Sequence, residues 1–251
     1  MMYLRIPEER AILFQWLANY YFSGSTIARS TRHRLFVATY LSVGMALGLL
    51  PTLAIRNGKI DVSPWGLRSF PFLIVFFAVS GLRAAFQFPA EPTSNWLFRT
   101  AEHFWSETSR RATRKRVLAT ALFPTLLLFV PVEIGIWGWR LGLFHFLFQA
   151  ATGGLLVETL FWNFDKVPFT CSYFPGKASL AVLAGLYLYG FTTYSFRMAE
   201  LEARIEGSVP HAVLFLAVTS AVLGVLWRRS PAPSSVQFID VGQQIQTLDL
   251  T

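Results

Sequence analysis

The stretch FPAEPTSNWLFRTAEHFWSETSRRATRKR, residues 88–116, decides how this chain reads, because it joins interfacial aromatics to a dense basic run. Arg99, Arg110, Arg111, Arg114, Lys115 and Arg116 are its six basic residues, and five of them fall within seven positions just before the apolar run that opens at Val117. Lys and Arg beside a membrane span stay on the cytoplasmic side, so this run orients the spans around it. Upstream, Leu97, Ala101, Phe104 and Trp105 recur at helical spacing opposite Arg99, Glu102, His103 and Glu107. That pattern predicts an amphipathic helix over 95–108, lying at a membrane surface as a connector or offering its charged side to a cytoplasmic partner.

Composition widens this reading to the whole chain. Of 251 residues 53% are hydrophobic and only 14% charged, against about 25% charged in an ordinary soluble protein. The expected fold class is therefore an all-α membrane protein in contact with the lipid bilayer. The net charge of +8 lies beside the apolar runs and not on one compact face, which suits anionic headgroups and excludes nucleic acid as a partner. Cys171 is the single cysteine, so no internal disulfide framework exists, and no Cys/His cluster has metal-ligand spacing. The amino terminus carries acids and no small-residue cleavage site, so insertion is expected to rest on the spans themselves.

Residues 1–34 read as an interfacial elbow helix that begins after Pro7, is ended by Ser23-Gly24-Ser25, and leads into a basic collar of Arg29, Arg32 and Arg34. Its apolar part is shorter than the roughly 20 residues a crossing needs. Six spans follow within 35–229, at about 35–55, 69–88, 117–137, 141–162, 179–196 and 211–227, and 230–251 is a tail. In the first, Gly44 and Gly48 form a small-xxx-small pair that admits a close neighbour. Asn57-Gly58 and Ser63-Pro64 mark a polar turn over 56–68. Pro124 and Pro131 predict a kinked third span, and Trp137-Gly138-Trp139-Arg140 a tight connector. The loop at 163–178 is broken by prolines, yet has Phe164, Phe169, Tyr173 and Phe174 to bury. Residues 198–210 read as a charged outer connector.

Polar residues inside spans face protein or water, because lipid leaves their hydrogen bonds unmade. His145, Gln149 and Thr152 fall on one helical face at i, i+4 and i+7, while Glu158 points elsewhere. Together with Arg83 and Glu133 these residues are candidates for a polar pathway or for helix packing. Arg83 has the further option of snorkelling to headgroups. With the amino terminus inside, cytoplasmic segments carry fifteen basic residues against six on the other face, which predicts both termini in the cytoplasm.

No catalytic constellation, cofactor site or metal site emerges. HExxH and GxSxG are absent, and Gly176-Lys177 lacks both the upstream glycine and the Ser or Thr of a phosphate-binding loop. The layout of elbow helix, six spans, inside termini and a long cytoplasmic loop with an interfacial helix, together with FPAEPTSNWLFRTAE at 88–102 and PFTCSYFPGK at 168–177, resembles the permease subunit of a type-2 ABC exporter and related bacterial multi-pass proteins. The resemblance implies transport across the bacterial inner membrane and a separate cytoplasmic ATPase docked on Arg99, Glu102, His103 and Glu107. It also implies a second permease half, either another copy of this chain or a different one. The alternatives are a membrane enzyme using His145 or Glu158 as acid or base, and a structural or assembly protein.

Overall fold

A computed structural model describes residues 8–56, 59–88, 107–162, 164, 168–169 and 180–228. Within them the chain is an all-α bundle of membrane type with one small β-hairpin. Its elements are α1 (Glu8–Arg29), α2 (Thr31–Thr52), β1 (Leu53–Arg56), β2 (Lys59–Val62), α3 (Pro64–Ala85), α4 (Glu107–Val117), a π-helical turn (Leu118–Leu122), α5 (Phe123–Leu160), α6 (Leu180–Ile205) and α7 (Val209–Arg228). Four helical runs are long and apolar enough to cross a membrane: Thr31–Thr52, Pro64–Ala85, Arg110–Leu160 and Val209–Arg228. Helix α6 is not among them, since Tyr187, Tyr189, Thr192, Thr193 and Tyr194 dilute its apolar stretch.

The 51-residue run Arg110–Leu160 is not one rod. Gly138 adopts φ 82° and ψ 165°, a conformation that glycine reaches without the Cβ clash of other residues. The chain reverses there. Were the helix straight, positions 114 and 158 would lie about 66 Å apart at 1.5 Å per residue; instead the Arg114 Nη1 and Glu158 Oε2 atoms are 2.7 Å apart. α5 is thus two antiparallel arms, 123–137 and 139–160, and the expected connector at Trp137–Arg140 is its turn. Gly142 completes the reversal, because a Cβ there would lie 2.7 Å from Ile134 Cγ1.

α3 is the axis of the bundle, with α2, α5 and α6 all packed on it. It is buried along nearly its whole length from Ser69 to Leu82, which explains its aliphatic and aromatic sequence on every face. Its first turn is set by Pro64 at the start of the helix and by Ser63, whose Oγ accepts from the Gly66 amide at 3.3 Å. Ser63-Pro64 is therefore a helix cap and not a turn. α2 meets α3 through the small residues anticipated for it: a Cβ on Gly44 would lie 2.9 Å from Phe77 Cβ, and one on Gly48 would lie 2.1 Å from Phe70 Cδ2. Phe72, Phe76 and Phe77 of α3 make edge or tilted ring contacts with Phe148, Tyr187, Phe191 and Tyr194. Each such pair contributes about 0.5–1.5 kcal/mol beyond its area.

Several boundaries differ from the sequence reading. Ser23-Gly24-Ser25 does not end α1, because Ser23 donates to Asn19 O at 2.9 Å and Ser25 to Phe22 O at 3.1 Å within the helix. Gly24 serves instead as a seat for the Arg116 guanidinium, and Arg116 and Lys115 also lie over the rings of Tyr20 and Trp16. The basic collar is split between α1 and α2, which meet at Ser30, and the first apolar helix begins at Thr31. It ends at Thr52, just past Pro51, where the expected polar turn is a two-stranded ladder pairing Leu53 with Val62 and Ile55 with Ile60. Asn57 and Gly58 lie outside the described residues, but a two-residue Asn-Gly link is what such a hairpin favours. At Pro124 the helix shows a π-turn, Leu118–Leu122, immediately before the proline, in which the Phe123 amide bonds Leu118 O five residues back; such a widened turn accommodates the ring and the missing donor of the proline.

Candidate functional site

α6 holds the largest departure from expectation. The helix runs past Phe196 to Ile205, so most of the segment read as an outer connector is helical and part of it is buried. Arg197, Glu200 and Arg204 pair along its exposed side, and these two cations hold the Glu200 carboxyl below the usual carboxylate range. The other side carries Met198, Ala199 and Leu201 onto a core of Phe72 and Phe148, and brings Glu202 inside with none of its surface exposed.

Glu202 meets the polar residues of α5. Its Oε1 lies 2.6 Å from Nδ1 of His145, which is itself buried. His145 Nε2 faces Glu206 Oε2 at 4.0 Å, and Glu206 is paired at 2.9 Å with Arg68 from the first turns of α3. One turn further along α5, Gln149 Nε2 donates to Glu133 Oε1 at 2.6 Å across the two arms. Trp137 covers the group, with its ring 4.6 Å from that of His145 and the Arg68 guanidinium over it at 6.0 Å. Four segments thus converge: α3 through Arg68, the first arm of α5 through Glu133, the second through His145 and Gln149, and α6 through Glu202 and Glu206.

The arrangement is short of donors. Glu133 Oε2, Gln149 Oε1 and Glu202 Oε2 are buried without a hydrogen-bond partner. A buried acceptor left unmade costs about 1–3 kcal/mol, more when charged, so the cluster has room for protons or a cation that would satisfy these oxygens. Glu206 is the partly exposed member and lines an open cleft of about 460 Å³ between the second arm of α5 and α7, otherwise apolar apart from Arg140. Among the described residues no group of three His, Cys, Asp or Glu has metal-binding geometry.

The sequence-predicted residues divide as follows. Glu133, His145 and Gln149 are brought together, and Thr152 is buried on the same face, its hydroxyl donating to Phe148 O at 2.9 Å. Glu158 is also buried but stands apart, paired with Arg114 of α4 where the two arms end, far from the Gly138 turn. Arg83 lies in the last turn of α3, half-buried, about 22 Å along the helix from Arg68, and does not join the cluster. Arg99, Glu102 and His103 lie outside the described residues, and Glu107 is the first residue of α4. Arg68, Glu202 and Glu206 were absent from the sequence-derived set. The signal for Glu202 was present in its spacing, since Ala199, Glu202 and Ile205 continue the face of Tyr194 and Ser195 at helical intervals.

Of the loop at 163–178, Phe164, Pro168 and Phe169 are described, and Phe164 and Phe169 are buried. Phe169 takes φ 65°, and its amide donates to Phe86 O at 2.9 Å. Its ring sits edge-on to Phe86 and to His33, and His33 in turn contacts Ser30 Oγ at 2.6 Å and Phe88 O at 3.1 Å. The loop is thereby tied to the end of α3 remote from the polar cluster.

Comparison with protein-family models, with curated proteins and with solved structures finds no match. The class that the fold itself defines is an α-helical bundle of membrane type with a buried, acid-rich polar centre.

Proposed function

We propose that this chain is the membrane-spanning subunit of a transporter, crossing the bacterial inner membrane six times with both termini in the cytoplasm, and that the Glu133–His145–Gln149–Glu202 cluster is the polar centre of its route. The two arms of α5 and helix α6 bring the apolar candidates to six passes in this reading. The observation that carries it is the donor-poor cluster itself. Two buried carboxylates, a histidine and a glutamine gathered where an apolar bundle's helices converge are costly to keep, and a purely structural core reaches the same stability with apolar side chains. The chain has no nucleotide-binding loop, so ATP-driven work would be supplied by a separate ATPase at 95–108, with a second permease half completing the assembly.

The test is complementation. A strain lacking the gene is screened for altered export or retention of lipids and small toxic compounds, and is then supplied with the wild-type chain or with Gln149→Leu. The expected result is a transport defect that wild type restores and Gln149→Leu does not, with equal amounts of both in the membrane. Full restoration by Gln149→Leu, or a deletion strain with unaltered export, overturns the proposal.

A further inference from the structure

We infer that Glu202, His145 and Glu206 form a proton-binding relay linking the buried centre of the bundle to water at the end where α5 reverses. The inference deepens the transport reading by naming the proton as a ligand of the polar centre. It rests on that reading only for the use to which the proton is put.

The geometry is a line of three titratable groups graded in exposure. Glu202 is fully buried, His145 is 1% exposed, and Glu206 is 24% exposed at the edge of the cleft. An imidazole with a carboxylate on each nitrogen can accept at one nitrogen while donating at the other. With Glu202 protonated and His145 carrying its proton on Nε2, the Glu202 proton passes over 2.6 Å to Nδ1. The Nε2 proton leaves for Glu206 Oε2 across 4.0 Å, a gap that one bridging water spans. Glu202 ends as a carboxylate, His145 as the other neutral tautomer and Glu206 as the acid, so total charge is unchanged. Arg68 pairs with Glu206 at 2.9 Å, and Glu206, at the open end of the line, hands the proton to water in the cleft.

The surroundings favour protons over a larger cation. Every element packed on the relay contributes: Arg68 from α3 pairs with Glu206, Arg140 from the second arm lines the same cleft, Glu133 from the first arm acts electrostatically on both His145 and Glu202, Tyr194 of α6 interacts with Glu202, and α7 presents Val209 and Val213 across the cleft from Glu206. The negative excess is thus partly uncompensated. Trp137 and Phe144 close on the His145 ring, which leaves space for a proton or a water.

Infrared difference titration of the detergent-purified full chain reads this directly, because a buried protonated carboxyl has its own C=O stretch. Wild type is expected to show such a band that disappears as pH rises and shifts promptly on transfer to deuterated water. Glu202→Gln should remove the band, whereas Glu206→Gln and His145→Gln should keep it but slow its deuterium shift by at least about tenfold. Monodispersity and far-ultraviolet dichroism confirm that each variant is folded; should Glu202→Gln fail to fold, the two exchange-slowing variants decide alone. Absence of a titrating band in wild type, its survival in Glu202→Gln, or wild-type exchange in both Glu206→Gln and His145→Gln overturns the relay. A titrating band in a protein whose deletion leaves export unaltered upholds the relay and removes the transport reading, and export without the band does the reverse.

Discussion

At the residue scale, the interior is held by polar contacts whose value depends on keeping both partners. Gln149→Leu removes the donor to Glu133 Oε1 and leaves a second buried carboxylate oxygen unpaired beside Oε2. The expected loss is about 1–3 kcal/mol, read as a lower thermal midpoint in detergent, while the double variant Glu133→Leu with Gln149→Leu loses less than the single one. Arg114→Met strands Glu158 and should cost about 3–5 kcal/mol, with Glu158→Met restoring most of it; equal destabilisation by the single and double changes would show that the stranded carboxylate is not the source of the loss.

Reversals and close approaches govern the element scale. The antiparallel arms of α5 depend on Gly138, at φ 82° with open space around its Cα. Gly138→Ala therefore meets no neighbour and should cost the backbone strain of an extended, positive-φ conformation essentially reserved to glycine, about 1–3 kcal/mol. At Gly48 the opposite holds: the conformation is ordinary helix, but an added Cβ would lie 2.1 Å from the Phe70 ring. Gly48→Leu should force α2 off α3 and cost more than Gly138→Ala, as unfolding of the two purified variants would reveal. The same logic explains why Ser-Gly-Ser is a helix breaker on paper and not in α1. A serine that bonds its own helix and a glycine that seats an arginine guanidinium are stable members of the element once their partner, α4, is in place.

For the whole molecule, the hairpin at 53–62, the Gly138 turn and the α6–α7 turn lie at one end, as the contacts of Arg68 with Trp137 and Glu206 require. The Arg114–Glu158 pair and Phe169 lie towards the other. In the proposed orientation, with the basic run of α4 in the cytoplasm, the polar cluster would open to the outer face. Single cysteines placed at Asn57 and Ser234 in a Cys171→Ser background test this: an impermeant thiol reagent added to intact cells should label position 57 and spare 234. Labelling at 234 alone would invert the molecule.

Much of this was legible in the chain itself. The apolar fraction and the basic run before Val117 establish the membrane class and the ends of spans, because lipid admits long apolar helices and rejects uncompensated charge whatever their neighbours are. Trp137-Gly138-Trp139-Arg140 marks the reversal, and the 3.6-residue period is enough to put His145, Gln149 and Thr152 on one buried face. What only the tertiary structure decided is which partner each buried charge meets. His145 and Glu202 are 57 positions apart and Arg114 and Glu158 are 44, and periodicity reports the face of a helix but never the face opposite it. Glu202 shows the limit most plainly: a glutamate among arginines reads as solvated connector until α3 and α5 close over it, and burial, a property of the assembled bundle, makes it the centre of the site.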